Sequence, residues 1–182
     1  MIRPAEMADA RQIADIYRPF CEKSCVSFET EAPDAGEIAA RIERVSRRHH
    51  WLVDDVDGAI AGYAYASPHR ERAAYRWVVE VTIYMNERYR GLGRGRALYG
   101  ELFERLRRQG IFKVYAGILV PNPSSQAFHE SMGFTLVGVY RKIGYKLGAW
   151  RDVGWWQLAL RPEMDSPPEP SNPSPALSAP NT

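Results

Sequence analysis

The chain is short of several things, and each shortage closes off a class of protein. It has two cysteines in 182 residues, Cys21 and Cys25. That is too few for a disulfide-built scaffold, and no companion cluster stands by to make a metal site, so both read as buried or free thiols. Lysine and arginine number 24 against 22 aspartates and glutamates, a formal charge of +2. Nothing electrostatic therefore argues for nucleic acid as the main partner. No apolar run approaches a membrane span, and the opening Met1-Ile2-Arg3-Pro4-Ala5-Glu6 lacks the charged-then-apolar design of an export signal. No internal repeat is present. The expectation is a cytoplasmic protein without a metal, of a length that suits one domain with a real core.

What is present reads as alternating strands and helices. Met1 to Arg3 suits a short strand, and Met7 to Phe20 a helix with Ile13, Ile16, Tyr17 and Phe20 on one face. Cys25 to Thr30 is β-prone. Asp34 can cap a second helix running to about His49, whose end, Arg47-Arg48-His49-His50, reads as solvated. Trp51–Val56 and Ala59–Ala66 flank Asp57-Gly58, a hairpin signal. Tyr75 to Met85 reads as a strand, and a helix follows to about Gln109, stopped by Gly110. Lys113–Val120 is a further strand. Ser124 or Ser125 can cap a short helix ending at Gly133, and Thr135–Gly144 with Trp150–Leu160 suits a last antiparallel pair. From Ser166 to Thr182 the chain is almost all Pro, Ser, Asn, Ala and Glu. Residues 163–182 are expected to be a disordered tail, because so little apolar area cannot offset chain entropy.

The stretch around which the rest is organised is Arg90-Gly91-Leu92-Gly93-Arg94-Gly95-Arg96, between a strand and a helix. Glycines let the backbone approach a ligand, and the free N–H groups of the helix's first turn make an anion site. The nucleotide P-loop would need Lys-Ser or Lys-Thr after the last glycine, and Arg96-Ala97 stands there. What fits is Arg-x-x-Gly-x-Gly, with Arg90, Gly93 and Gly95. This resembles the acyl-CoA pyrophosphate loop of the GNAT N-acetyltransferases. The element order β-α-α-β-β-β-α-β-α-β-β is similar to that fold from residue 1 to about 160. The resemblance implies an α+β, three-layer architecture in residues 1–162. Its sheet would be mixed and mostly antiparallel, with splayed central strands and helices on both sides. Acetyl-CoA would lie along Ile83, Tyr84 and Met85, with its pyrophosphate on the amides from Gly91 through Leu92, Gly93, Arg94 and Gly95 to Arg96.

Two further signals carry chemistry. Asn122-Pro123-Ser124-Ser125-Gln126-Ala127-Phe128-His129-Glu130 resembles the family segment in which an Asn binds the cofactor or an ordered water and a small residue clears the pantetheine path. Those places fall on Asn122 and Ser125. Where the family usually has a Tyr as acid, this chain has His129, which leaves acid and base both open. Strand alternation puts Glu80, Thr82 and Tyr84 on one face. A carboxylate in so apolar a strand needs either work or a partner. Its work would be to take a proton from an amine, since an ammonium cannot attack a thioester. Its alternative is a structural pair with Arg70, Arg72 or Arg76.

Ala74-Tyr75-Arg76-Trp77, Phe128-His129-Glu130 and Gly148-Ala149-Trp150-Arg151-Asp152-Val153-Gly154 are similar to the phosphinothricin and methionine sulfoximine N-acetyltransferase branch. That resemblance implies Glu80 and His129 as the catalytic pair. It also implies Arg70, Arg72, Tyr75 and Thr82 against an acidic amino-acid analogue, acetyl transfer to its α-amine without a covalent enzyme intermediate, and a homodimer. A GNAT acting on a protein N-terminus or lysine, and an idle acyl-CoA-binding module, are the alternatives.

Overall fold

The computed structural model describes residues 1–173. Its strands are β1 (Ile2–Pro4), β2 (Trp51–Val56), β3 (Ala59–Pro68), β4 (Val78–Met85), β5 (Lys113–Val120), β6 (Thr135–Lys146) and β7 (Ala149–Ala159). Its helices are α1 (Ala10–Glu22), α2 (Ala35–Ser46), α3 (Arg94–Gln109) and α4 (Pro123–Ser131). The strands form one sheet in the order β1-β2-β3-β4-β5-β7-β6. Every pairing is antiparallel except β4 with β5. The expected α+β, three-layer architecture is what is found.

Alternation along each strand decides the layers. Trp51, Val53 and Tyr63 point to one face and pack with Ile13, Tyr17, Ile38 and Ile42 of α1 and α2. Leu52, Ala64, Val79, Val81 and Val114 point to the other, against Leu98, Leu102 and Leu106 of α3. Local chemistry sets the boundaries as the sequence suggests at several points. Asp34 caps α2 by accepting from the Glu37 N–H at 2.8 Å. Asp57 and Gly58 both take positive φ, as a two-residue hairpin turn requires. Gly110 ends α3 in the left-handed region.

Four expectations need correction. Cys25 to Thr30 forms no strand: this segment between α1 and α2 is irregular, tied down by Lys146. Strand β4 begins at Val78 because Ala73–Tyr75 forms a single 3-10 turn. Helix α2 stops at Ser46, and His49 and His50 are half-buried, not solvated. The cap of α4 is Asn122, whose side chain accepts from the Ser125 N–H, so neither serine serves.

The segment after β7 has no helix or strand in its described part, residues 163–173, yet it is held in place. Glu163 pairs with Lys113, Glu169 with Arg76, and the Pro168 carbonyl accepts from the Trp77 indole at 2.8 Å. The rest of the expected tail, residues 174–182, lies outside the described residues.

Candidate active site

Strands β4 and β5 are in register only at Val78–Lys113, Val79–Val114 and Glu80–Tyr115. Beyond Glu80 they part, and the backbone groups of β4 that would have faced β5 have no partner strand there. A small cavity fills the gap, walled by Thr82, Ile83, Ala116, Ile118, Tyr99 and His129. It leads to a cleft of about 480 Å³ between the end of β4, the start of α3 and α4.

The glycine loop floors that cleft. Gly93 caps α3 with φ 76°, a conformation that favours glycine, and the first helical bond there runs from the Ala97 N–H to the Gly93 carbonyl. The N–H groups of Arg94, Gly95 and Arg96 thus lack intrahelical acceptors and make an anion cradle. Of the twelve expected acyl-CoA contacts, ten line the cleft: Ile83, Tyr84, Met85, Arg90, Gly91, Gly93, Gly95, Arg96, Asn122 and Ser125. Leu92 and Arg94 do not. Leu92 is 65% exposed, and the Arg94 guanidinium turns back to pair with buried Asp54 at 2.9 Å, anchoring the loop to β2. The sequence reading missed Phe20 and Val26, which reach the cleft from the α1–α2 side. The cleft fits an acyl-CoA: an apolar trough ends in main-chain donors, and a side chain on Gly95 would project toward Ile83 and Phe128.

His129 sits on α4 with its ring among Tyr99, Phe128 and Phe134. Nδ1 lies 2.8 Å from the Ser125 carbonyl, which can only accept, so that nitrogen carries the proton. Nε2 lies 3.3 Å from the Tyr99 hydroxyl. Burial lowers the histidine's pKa against the opposing pull of the Ser125 bond, which keeps the imidazole neutral.

Glu80 and His129 share no hydrogen bond or ion pair: each has its own partners. Glu80 Oε1 accepts from His69 Nδ1 at 3.0 Å and lies 3.5 Å from Arg70 Nη1. Burial raises its pKa, opposed by the His69 and Arg70 contacts. The structural pairing offered as its alternative thus exists in part, through Arg70 alone of the three arginines. Arg76 is engaged with Glu169 instead, and Arg72 makes no side-chain hydrogen bond or ion pair among the described residues. Tyr75, 40% exposed, stands edge-on to His69. Thr82 opens into the gap between the strands. Among the described residues no group of three or more His, Cys, Asp or Glu is placed to hold a metal ion, and no helix is long and apolar enough to cross a membrane.

Comparison with known proteins settles the family. The acetyltransferase (GNAT) domain matches residues 2–155. The chain belongs to the GNAT acetyltransferases. This GNAT chain is 42% identical over 172 residues to the phosphinothricin N-acetyltransferase of Streptomyces viridochromogenes, covering 94% of itself and 93% of that protein. It is 31% identical over 160 residues to the L-methionine sulfoximine/L-methionine sulfone acetyltransferase of Salmonella typhimurium, covering 87% and 94%. Its fold matches the GNAT superfamily phosphinothricin acetyltransferase of Sinorhizobium meliloti, solved in complex with AcCoA. There the TM-score is 0.83 and the identity 37%, over 87% of each chain. The chain is thereby an acetyl-CoA-dependent N-acetyltransferase of the phosphinothricin/methionine sulfoximine branch.

Proposed function

We propose that this enzyme acetylates the α-amine of a small amino acid bearing a tetrahedral side-chain head, of the phosphinothricin, methionine sulfoximine or methionine sulfone type. The observation that carries the reading is Glu80: a carboxylate with a raised pKa, at the mouth of the gap between β4 and β5, beside a loop that presents Arg70, Arg72 and Tyr75. The similarity to phosphinothricin and methionine sulfoximine/methionine sulfone acetyltransferases supports it.

Acetyl-CoA supplies an activated acetyl group. Every other task falls to the chain. The amides of Arg94, Gly95 and Arg96 bind the pyrophosphate, and Arg90 adds positive charge at the cleft. The N–H groups of Ile83 and Met85, which alternation turns toward the gap and away from β3, polarise the thioester carbonyl. Arg72, which makes no side-chain hydrogen bond or ion pair among the described residues, binds the carboxylate or the head group of the amino acid, and Thr82 orients it. Glu80 takes the proton from the ammonium, directly or through a water, so that the amine becomes a nucleophile. His129, neutral and committed through Nδ1, is suited to accept a proton and not to give one, so the departing thiolate takes its proton from solvent. Neither cysteine serves as a nucleophile, since burial holds the Cys21 thiol above its usual range and Cys25 lines neither the cleft nor the gap, its Sγ facing the Lys146 carbonyl at 4.0 Å.

Residues 1–162 make the catalytic domain, working in the cytoplasm as a homodimer. Support for the dimer comes from the sheet edge. There Leu136, Val137, Tyr140, Ile143, Tyr145 and Trp150 are each at least half exposed on β6 and β7, an apolar surface suited to a second copy.

Two variants test the mechanism. Glu80→Gln should lower kcat by about 10²–10⁴ while acetyl-CoA still binds. Arg72→Ala should raise the acceptor KM about tenfold or more, the loss of one charge-assisted hydrogen bond, and leave the acetyl-CoA KM alone. Wild-type kinetics in both would overturn the assignment.

A further inference from the structure

His69 lies outside every sequence motif described above, yet the fold builds a setting for it. Strand β3 runs to Pro68 in register with β4, pairing Ser67 with Glu80 and Pro68 with Val79. The next residue is thereby delivered beside the Glu80 carboxylate. Its ring is clamped by three aromatic side chains from three places in the chain. It stacks on Tyr115 of β5 at 4.8 Å and 19°, and meets Trp155 of β7 edge-on at 5.9 Å. Tyr75 of the 3-10 turn completes the clamp at 6.0 Å. The side chain is 16% exposed, far more enclosed than its arginine neighbours. A ring so fixed cannot swing to follow a mobile partner; it holds its partner.

We infer that His69 is the positioning residue for the Glu80 base, fixing Oε1 so that Oε2 faces the incoming ammonium. The inference rests on the reading of Glu80 as the base. An ionised carboxylate only accepts, so Nδ1 carries the proton and donates, whether the ring is neutral or cationic. Oε2 has no hydrogen bond among the described residues and is left to take the amine's proton: its N–H bond breaks, the O–H bond forms, and the nitrogen keeps the lone pair that attacks. The carboxylic acid so formed gives the proton up to solvent to complete the cycle.

The other groups around the carboxylate do not duplicate this bond. Arg70 reaches the same oxygen only at 3.5 Å and spends the same nitrogen on the His69 carbonyl at 2.7 Å. Tyr115 is occupied in the stack with His69, and Tyr65 on β3 stacks on Trp51. His69 thus supplies the shortest contact to the base. A donor to the charged form also restrains the rise that burial causes in the Glu80 pKa.

The test is the pH profile of kcat/KM for the amino-acid acceptor, measured on wild type, His69→Phe, His69→Asn and Glu80→Gln. Phenylalanine keeps the aromatic clamp and deletes the donor. Asparagine deletes the ring and keeps an N–H near the place of Nδ1. With the donor gone the carboxylate holds its proton to higher pH. His69→Phe should therefore move the acid limb upward by about one unit and lower kcat/KM at neutral pH about tenfold. His69→Asn should return the limb toward wild type, and acetyl-CoA binding should be unchanged in both. If Glu80→Gln is inactive but the limb of His69→Phe stays where wild type has it, the inference fails and the reading of Glu80 stands. Equal losses in both His69 variants with no movement of the limb would mean that the ring serves packing alone, which also overturns it. A fully active Glu80→Gln would sink both.

Discussion

Replacing Gly95 by residues of graded size separates what the glycine does for the fold from what it does for the cleft. Gly95 lies in the first turn of α3, and a Cβ built there would stand 3.6 Å from Ile83 Cδ1 and from the Phe128 ring, which is ordinary van der Waals contact. Alanine therefore fits without strain. It also stabilises a helix over glycine by about 0.5–1 kcal/mol, so Gly95→Ala should raise Tm by roughly 1–4 °C in a domain of this size. Acetyl-CoA should still bind within a fewfold of wild type. Valine adds two methyls reaching about 1.5 Å further. They enter the space shared by Ile83, Phe128 and the cleft, where the phosphates must approach the main chain. Losing one charge-assisted hydrogen bond costs about 1.5–3 kcal/mol, so acetyl-CoA should bind about ten- to a hundredfold more weakly to Gly95→Val. Calorimetric titration with acetyl-CoA and thermal melts of both variants make the assay. Wild-type affinity in the valine variant would refute the placement of the pyrophosphate on this turn. A Tm loss of several degrees in the alanine variant would refute the geometry of the turn itself.

Other perturbations test other parts of the structure. Burial lowers the pKa of His49 and of His50 to about 4, so both are neutral when folded and titrate near 6.5 when unfolded. The stability they contribute is whole above that value and lost as pH falls from about 6.5 toward 4, roughly 2 kcal/mol for each by pH 5. Urea melts at pH 7 and pH 5 should show the loss, and His50→Gln should roughly halve it; an equally steep loss in the variant would contradict the assignment. Lys146 is buried with Nζ donating to the Ser27 and Glu29 carbonyls at 2.7 Å each. Lys146→Met should cost about 2–4 kcal/mol in denaturant melts and loosen the segment that brings Val26 to the cleft. A loss under about 0.5 kcal/mol would mean that the clamp is idle.

How much of this was legible in the sequence follows from the range of the forces involved. The glycine loop, the Asp34 cap and the Asp57-Gly58 turn are local: each depends on a few neighbouring residues, and each was found where the sequence put it. Cys25 to Thr30 has strand-forming residues, but its carbonyls at Ser27 and Glu29 are taken by an ammonium more than a hundred positions away. No local pattern announces that. Arg94 sits in a loop of arginines and reads as a phosphate contact until Asp54, forty positions earlier, is seen to hold it. His69 falls between the expected strands, after Ala66 and before Tyr75, where the sequence shows no motif. The one signal that could have found it is hairpin register: extending β3 to Pro68 opposite Val79 brings residue 69 beside Glu80. That Glu80 and His129 have different hydrogen-bond partners was also out of reach, because strand alternation gives a face but not what the flanking elements put opposite it.

The measurement closest to the central claim is thiol release from acetyl-CoA with phosphinothricin, methionine sulfoximine, methionine sulfone and the ordinary amino acids as acceptors. Rapid turnover confined to the tetrahedral analogues, with the N-acetyl product seen by mass spectrometry, is the predicted result. Turnover with none of them would leave the GNAT fold and the acetyl-CoA cleft in place and contradict the proposed substrate.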